Sequence, residues 1–234
     1  MRISWIVVCS LATCACRLGF EFPDQPGSDA LPDDLDCTPE LGWFADFDND
    51  PTALDVNGDG QGDWRRRDGT AFDTGQLEGG VWNAPSYHEL DTVPKFNFAT
   101  PTVADVRMRA TDYGERGAVF WINADYSDAD QQFAALFVQL VLQPDNSQHF
   151  RLQGKTDDAT EFTMAELTGL SGDFHDVHMV LDTRDDTVTV SVDGQVLGPY
   201  PYPRFDPGGD DRFATVLGYG VTAEFEYARV RICR

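Results

Sequence analysis

Apolar and polar side chains alternate through the last third of the chain, between Phe174 and Arg234. Two runs there repeat an apolar residue at every second position, namely Val177, Met179, Leu181, Val188, Val190 and Val192. A period of two puts successive side chains on opposite faces of an extended segment, so both runs predict half-buried β-strands. Asp193-Gly194 follows the second run, and this dipeptide favours the positive φ angles of a tight hairpin. The pattern predicts antiparallel strands joined by tight turns.

The middle of the chain follows the same tendency. Alternation over 102–111 predicts a strand with one face in water, and Phe150 and Leu152 predict inward-facing positions of another. Residues 118–124 and 133–143 are almost continuously apolar, which is typical of buried strands, although periodicity alone also allows a helix over 133–143. With 41% hydrophobic residues and 16 phenylalanines, the chain has enough apolar material for a sizeable core.

The stretch FHDVHMVLDTRDDTVTVSVDGQVLG is followed by FATVLGYG and EFEYARVRI. This order of a strand, a Val-Asp-Gly hairpin, a short glycine-bearing strand and a final strand resembles the C-terminal half of laminin G-like domains, in the concanavalin A-like lectin/glucanase superfamily. The resemblance implies an all-β fold, a two-sheet antiparallel jelly-roll sandwich. Such folds are usually binding modules, and the resemblance implies no particular ligand.

The N-terminus predicts export. Arg2 precedes an apolar run, residues 3–12, that is too short to span a bilayer but has the length of a signal-peptide core, so residues 1–15 are predicted to be a signal peptide. The cysteines that end this segment resemble the cleavage region of bacterial lipoproteins, in which a cysteine after small residues is acylated. That resemblance implies lipidation of Cys16, with Cys14 as the second candidate, and an outer-membrane or cell-surface location. Ordinary cleavage and secretion is the alternative.

Residues 16–36 combine prolines, glycines and aspartates with almost no apolar periodicity. Such a composition buries too little surface to offset chain entropy, so this segment is predicted to be a disordered tether. The remaining residues, 37–234, suit one sandwich domain.

Cys37 and Cys233 are the only cysteines of that predicted domain and lie at its two ends. A jelly roll commonly places its first and last strands side by side, and export implies an oxidising compartment. The two cysteines are therefore predicted to form a disulfide. Two unpaired thiols are the alternative.

Charge narrows the classes of partner. The formal net charge is −23, from 40 acidic and 17 basic side chains, and Arg65-Arg66-Arg67 is the longest basic run. Electrostatic binding to nucleic acid or to an anionic membrane surface is therefore not expected. Contact with a membrane is predicted only through the lipid anchor. The acidic excess instead favours divalent cations and solubility outside the cell.

Residues 55–63 (DVNGDGQGD) place oxygen-bearing side chains at alternate positions of a loop, with Gly60 at its sharp turn. Ca²⁺ takes about six to eight oxygen ligands, and alternate side chains of a tightly wound loop converge on one point. The loop resembles the calcium loops of EF-hands, dockerins and thrombospondin type 3 repeats. By that resemblance the ligands of Ca²⁺ would be the side chains of Asp55, Asn57, Asp59 and Asp63 and the carbonyl of Gln61.

The loop also departs from an EF-hand. Arg66 occupies the position of the bidentate glutamate, and the flanking segments lack the two amphipathic helices. Further ligands would have to come from nearby aspartates, of which the candidates are Asp48, Asp50, Asp68 and Asp73. A plain surface turn held by aspartate side-chain hydrogen bonds is the alternative. Bound calcium would have a structural role.

Catalytic patterns are missing from the sequence. Laminarinase-type relatives of this fold place acid and nucleophile in a Glu-x-Asp-x-x-Glu pattern, which this chain lacks. Glu224 and Glu226 share one face of the predicted closing strand, and paired carboxylates can cleave a glycosidic bond. That strand is expected at a sheet margin, so we interpret the pair as solvated charge. His175 and His178 suggest no triad, and no catalytic residue is predicted.

Aromatic side chains are the candidates for ligand recognition, because rigid rings bind sugar faces at low entropic cost. Tyr200 and Tyr202 lie in a proline-stiffened stretch predicted to be a loop, and Trp82 and Tyr87 belong to a second cluster. The predicted function is a lipid-anchored, calcium-stabilised module that binds an extracellular glycan or surface protein without catalysis. A carbohydrate-active enzyme on the same fold and a purely structural lipoprotein are the alternatives.

Overall fold

Buried and more exposed side chains alternate along several strands of the structure, as the sequence pattern predicts. The computed structural model describes residues 35, 37, 42–53, 55, 62–66, 68–73, 76–92, 100–124, 135–155, 160–202 and 213–233. No helix within these ranges is long and apolar enough to cross a membrane. The strands are β1 (Gly42–Ala45), β2 (Trp64–Arg66), β3 (Leu77–Glu78), β4 (Val81–Ala84), β5 (Glu89–Thr92), β6 (Thr102–Ala110), β7 (Ala118–Ala124), β8 (Ala135–Leu142), β9 (Gln148–Lys155), β10 (Glu161–Leu170), β11 (His175–Asp182), β12 (Thr187–Val192), β13 (Gln195–Pro201), β14 (Phe213–Gly218) and β15 (Ala223–Ile232).

The strands form two antiparallel sheets. Sheet A has the order β13-β12-β11-β6-β15-β4-β3, with β1 also paired to β15. Sheet B has the order β10-β9-β8-β7-β14-β5-β2. Two antiparallel sheets packed face to face are the jelly-roll sandwich that the sequence predicts, so the predicted fold class is confirmed.

The main core lies between the two sheets. The alternate apolar residues that predicted strands in the C-terminal third, among them Val177 and Val190, point into it. At one end the ring of Trp82 stacks on Phe47 and on Phe225, with centroids 5.6 Å apart in both pairs. Because inward positions alternate with outward ones, each sheet also has an outer face that points away from the core.

The local sequence left one strand ambiguous and gave a wrong prediction for another. Residues 133–143, for which a helix was an alternative, contain β8, which pairs with β7 and β9 on its two sides. The stretch that begins at Gly198 was expected to be a loop, but as far as Pro201 it belongs to β13, which pairs with β12. In both places neighbouring strands supply hydrogen-bond partners that the local sequence does not reveal.

The closing strand β15 lies inside its sheet, so the prediction that it lies at a margin is wrong. It pairs with β6 along one side and with β4 and β1 in tandem along the other. Its N-terminal half continues past the end of β1, and β4 occupies the space beside it. The first strand is therefore a neighbour of the last, as predicted, without leaving it at an edge.

The predicted partners Cys37 and Cys233 lie in disulfide geometry, with Cα atoms 4.1 Å apart. Both belong to a small apolar cluster with Leu35, Val103 and Val180, separate from the main core. Leu35 falls inside the segment predicted to be a tether. The packed part of the chain therefore starts before residue 37.

Reducing agent is expected to lower the melting temperature of the domain. A cross-link over a sequence separation of 196 residues removes much of the freedom of the unfolded chain, worth roughly 5 kcal/mol in the chain-entropy relation. Scanning calorimetry with and without reductant measures this change, and the Cys37→Ser/Cys233→Ser double variant is the control that should not respond. Titration of two free thiols in the denatured, unreduced domain would contradict the pairing.

The outer face of sheet A carries a network of ion pairs. Asp105, whose side chain is only 4% exposed, accepts hydrogen bonds from Arg229 at 3.0 Å and Arg231 at 3.1 Å, and it lies 2.7 Å from Nδ1 of His178. Burial by itself raises the pKa of Asp105, but the hydrogen bond to His178 and the two guanidinium groups more than offset it, so the pKa lies well below its usual range. The carboxylate is held ionised inside the network.

Replacing Asp105 by asparagine is expected to destabilise the fold by about 3–5 kcal/mol at pH 7, because two partly buried arginines lose their shared counter-ion. The pKa of Asp105 is lower in the folded than in the unfolded chain, so its contribution is complete above about pH 4 and is lost as the pH falls through the folded value. Urea unfolding at several pH values should show that the difference in unfolding free energy between wild type and Asp105→Asn becomes smaller below about pH 4. A pH-independent gap would contradict the assignment.

Candidate functional site

The outer face of sheet B carries a continuous row of cross-strand neighbours. Along one line of the sheet the paired residues are Arg65, Asp91, Thr215, Trp121, Phe137, Gln153 and Thr163. Along the adjacent line they are Glu89, Leu217, Val119, Gln139, Arg151 and Glu166. Cross-strand partners share a face, so these side chains lie together on the surface opposite the core.

An apolar cluster lies in the middle of this outer face, formed by Val119, Trp121, Phe137, Leu217 and Tyr219. We call it the aromatic cluster. The Trp121 ring meets Phe137 edge-on, with centroids 6.2 Å apart, and meets Tyr219 at 6.1 Å. Tyr219 follows β14 directly, and its main-chain N–H donates to the carbonyl of Gly117 at 2.9 Å. The strands therefore fix the positions of all three rings.

A pocket of about 130 Å³ opens beside the aromatic cluster. Apolar rings supply part of its wall, while charged and amide side chains supply the rest. Its lining residues are Glu115, Arg116, Trp121, Phe137, Gln139, Arg151, Gln153, Glu161 and Tyr219. An apolar wall with a few convergent polar groups is the usual make-up of a small-molecule site.

Gln139 gives this pocket a buried polar group. It is only 5% exposed and lines the pocket, and none of the residues that the structure describes forms a side-chain hydrogen bond with it. Its amide carries two N–H donors and a carbonyl acceptor, which a molecule in the pocket could satisfy. The arrangement suits a ligand that brings both hydrogen-bond donors and acceptors.

Charged groups border the pocket on two sides. The guanidinium of Arg116 lies 3.9 Å from the centre of the Tyr219 ring, which is close enough for a cation–π contact. On the other side Nε of Arg151 lies 3.4 Å from Glu166. Burial and the neighbouring Arg151 lower the pKa of His149, with Glu166 opposing them, so the imidazole is neutral at physiological pH. The pocket is polar at its rim and aromatic at its centre.

The same outer face brings together two carboxylates that sequence reasoning did not single out. Glu89 and Asp91 lie two positions apart on β5, and Asp91 accepts a hydrogen bond of 2.7 Å from the hydroxyl of Thr215. In chain order they match the first two acids of the Glu-x-Asp-x-x-Glu pattern, but the last position is Pro94. The third carboxyl group of that pattern is missing.

The predicted ligand-binding aromatics divide into buried and exposed residues. Trp82 and Tyr202 both belong to the core between the two sheets, unlike the buried rings of the aromatic cluster on the outer face. Neither ring can form a surface platform, so both assignments are wrong. Tyr200 is half-buried and packs against the core, because β13 lies on the sheet instead of forming a free loop. Tyr87 is 64% exposed and contacts the ring of Tyr219 at 5.7 Å.

The predicted calcium loop lies mostly outside the described residues, since Asn57, Asp59 and Gln61 are not among them. Asp55 is exposed, whereas Asp63 is fully buried and accepts a hydrogen bond from the main-chain N–H of Phe44 at 3.3 Å. Among the described residues no three histidine, cysteine, aspartate or glutamate side chains form a group able to hold a metal ion. Calcium binding therefore stays a prediction.

Two of the proposed additional ligands are engaged locally. Asp50 accepts hydrogen bonds from the N–H and hydroxyl of Thr52 at 2.8 and 2.6 Å. Asp68 accepts the same pair from Thr70 at 3.0 and 2.7 Å, and it also accepts from Arg66 at 3.1 Å. These are the turn-forming bonds expected of aspartate.

Glu224 and Glu226 are neutralised by arginines from the neighbouring strand β6. Arg109 donates to Glu224 at 2.6 Å, and Arg107 donates to Glu226 at 2.5 Å. Both carboxylates lie on the outer face of sheet A, away from the pocket on sheet B. They serve the ion-pair network of that face.

The fold and the pocket together define a jelly-roll sandwich with a polar and aromatic recess on one sheet. No family model and no curated protein matches the sequence. Solved structures share the fold at low identity. The β-glucanase of Bacillus licheniformis is 14% identical with a TM-score of 0.51, covering 83% of this chain and 99% of its own. The Crh5 transglycosylase is 14% identical with a TM-score of 0.53, covering 89% and 90%.

A further similar structure is the CBM2 module of the evolved Dit protein of Lactobacillus casei BL23 phage J-1. It is 12% identical with a TM-score of 0.52 and covers 82% of this chain and 96% of its own. The chain therefore has the jelly-roll sandwich fold of these structures. The finer resemblance to laminin G-like domains stays a prediction.

Sequence reasoning missed Trp121, Phe137 and Gln139, because a continuous apolar run fits both a strand buried on its two faces and a strand with an apolar outer face. The runs 118–124 and 133–143 are apolar at successive positions, which predicted burial between layers. In the structure one face of β7 and β8 is in the core and the other forms the aromatic cluster. Apolar residues on both faces of an antiparallel strand could have indicated a second apolar surface.

Proposed function

We propose that this protein is an exported carbohydrate-binding module that holds a glycan at the pocket on the outer face of sheet B, without hydrolysing it. The observation that carries the proposal is the meeting of the Trp121, Phe137 and Tyr219 rings with the buried Gln139 amide, which has no partner among the described residues. A sugar offers apolar C–H faces to rings and hydroxyl groups to amides and guanidinium groups. The pocket provides both kinds of contact.

Binding without hydrolysis is favoured by the carboxylates of this face. A glycosidase needs two carboxyl groups that flank the bond, about 5–5.5 Å or 6.5–9.5 Å apart. Asp91 is 3% exposed and hydrogen-bonded to Thr215, and Pro94 replaces the last acid of the pattern that begins at Glu89. Glu115 and Glu161 line the pocket and are the residues on which a hydrolase hypothesis would depend.

The similar structures support a glycan as the ligand, although their sequence identity to this chain is low. They are a glucanase, a transglycosylase and a CBM2 module. A glycan is therefore favoured over a surface protein as the partner, because the pocket is small and polar at its rim.

Export and anchoring complete the proposal. Residues 1–15 would direct the chain out of the cytoplasm, and an acylated Cys16 would hold it at the outer membrane or cell surface. Mass spectrometry of the mature N-terminal peptide tests this directly. A peptide that carries no acyl group or begins elsewhere would favour secretion.

Trp121→Ala and Gln139→Ala are each expected to weaken glycan binding at least about tenfold, a loss of about 1.4 kcal/mol. The test is titration calorimetry with the glycans that bind wild type on an array. Gln195→Ala, at an exposed position of β13, is the matched control. Unchanged binding in both pocket variants, or no binding by wild type, would contradict the site.

The non-catalytic part of the proposal has its own test. Purified protein should release no reducing ends from the glycans it binds. Release that is abolished by Glu115→Gln or Glu161→Gln would show that the protein is a hydrolase.

Calcium is proposed as a structural ion of loop 55–63. A chelator is expected to lower the melting temperature, since an ion bound only to the folded chain stabilises it by about 2.7 kcal/mol at a hundredfold excess over its Kd. Asp59→Ala should abolish the response to chelator, whereas Asp185→Ala, at an exposed turn position, should keep it. A melting curve of wild type that does not change with chelator would count against the ion.

A further inference from the structure

Tyr87 occupies a backbone position that the fold would give to glycine. The turn Pro85–His88 is closed by a 3.0 Å hydrogen bond from the N–H of His88 to the carbonyl of Pro85, and Tyr87 lies at its third position with φ at 62°. That position of such a turn favours glycine or asparagine, because a Cβ is disfavoured in the left-handed region. A bulky aromatic residue there is held under backbone strain.

The fold gains little packing from this tyrosine. Its side chain is 64% exposed, so burial does not compensate for the strain. The main-chain N–H of Tyr87 donates to the carbonyl of Gly218 at 2.8 Å, which fastens the turn to the end of β14. The result is a ring presented to solvent at a fixed place beside Tyr219.

The exposed ring continues the aromatic cluster. Tyr87 contacts Tyr219 at 5.7 Å, Tyr219 contacts Trp121 at 6.1 Å, and Trp121 contacts Phe137 at 6.2 Å between centroids. The rings belong to β8, β7, the end of β14 and the turn before β5, so their line crosses the sheet diagonally from the pocket towards its edge. Trp121 and Phe137 are each only 7% exposed, whereas Tyr87 is the exposed member of this line.

We infer that the ligand is an oligosaccharide or polysaccharide of several units, laid along this line, with Tyr87 as its outermost contact. The inference rests on the proposed glycan-binding function and makes it more specific. A monosaccharide or a disaccharide fills the pocket beside Trp121 and does not reach Tyr87. Strain at Tyr87 is retained because the ring serves a ligand rather than the fold.

The experiment measures affinity against chain length. Oligosaccharides of two to eight units from β-1,3-glucan, β-1,3-1,4-glucan and mucin-type O-glycans are titrated into the wild-type protein, Tyr87→Gly, Tyr87→Phe and Tyr113→Ala. Tyr113 is a control because it is 57% exposed and its ring makes no contact with the described part of this line. For the wild type, affinity should rise with length and then level off.

Tyr87→Gly should lower the affinity for the longest chains about tenfold and leave the affinity for disaccharides unchanged. The melting temperature of this variant should stay the same or rise, because glycine relieves the backbone strain. Tyr87→Phe and Tyr113→Ala should behave like the wild type. Affinity independent of length, or equal losses for short and long chains, would overturn this inference and leave the proposed function standing. A lower melting temperature in Tyr87→Gly would assign the residue to the fold, and no binding of any glycan would overturn both.

Discussion

Sheet A depends on the pairing of one strand, β15. This strand supplies hydrogen-bond partners to β6 on one side and to β4 and β1 on the other, so four strands meet through residues 223–232. The ion pairs of the outer face also need it, because the arginines around Asp105 belong to β15. All of these contacts join residues that are distant in sequence. Bringing these distant segments together costs conformational entropy before the contacts of the sheet can stabilise the fold.

The strands of the last third could be predicted because their alternation records a single buried face. Val177, Met179 and Leu181 point inward, and Asp193-Gly194 turns the chain. The place of β15 in the sheet could not be predicted, because a strand next to the first strand can be central or marginal with the same side-chain pattern. Which of the two occurs depends on β4, whose short sequence carries no signal for its partner.

The site was harder to predict than the fold. The sequence does not separate exposed from buried aromatics, and the candidate ligand contacts Trp82 and Tyr202 pack inside the main core. The residues that do form the pocket are hidden in apolar runs, in which core and surface positions have the same composition. Only the register of β7 against β8 separates Trp121 and Phe137 from Phe120 and Val138. Register is a property of the assembled sheet.

The edge strands of the two sheets offer few main-chain N–H and C=O groups with which a strand of another chain could pair. β3 has two residues and β2 has three, and β10 is interrupted by two shifts in register. On β13, Pro199 and Pro201 remove main-chain N–H groups from the exposed side. Short, interrupted or proline-bearing edges do not template added strands. Copies of the domain at high local concentration are thus kept from fusing their sheets into fibrils.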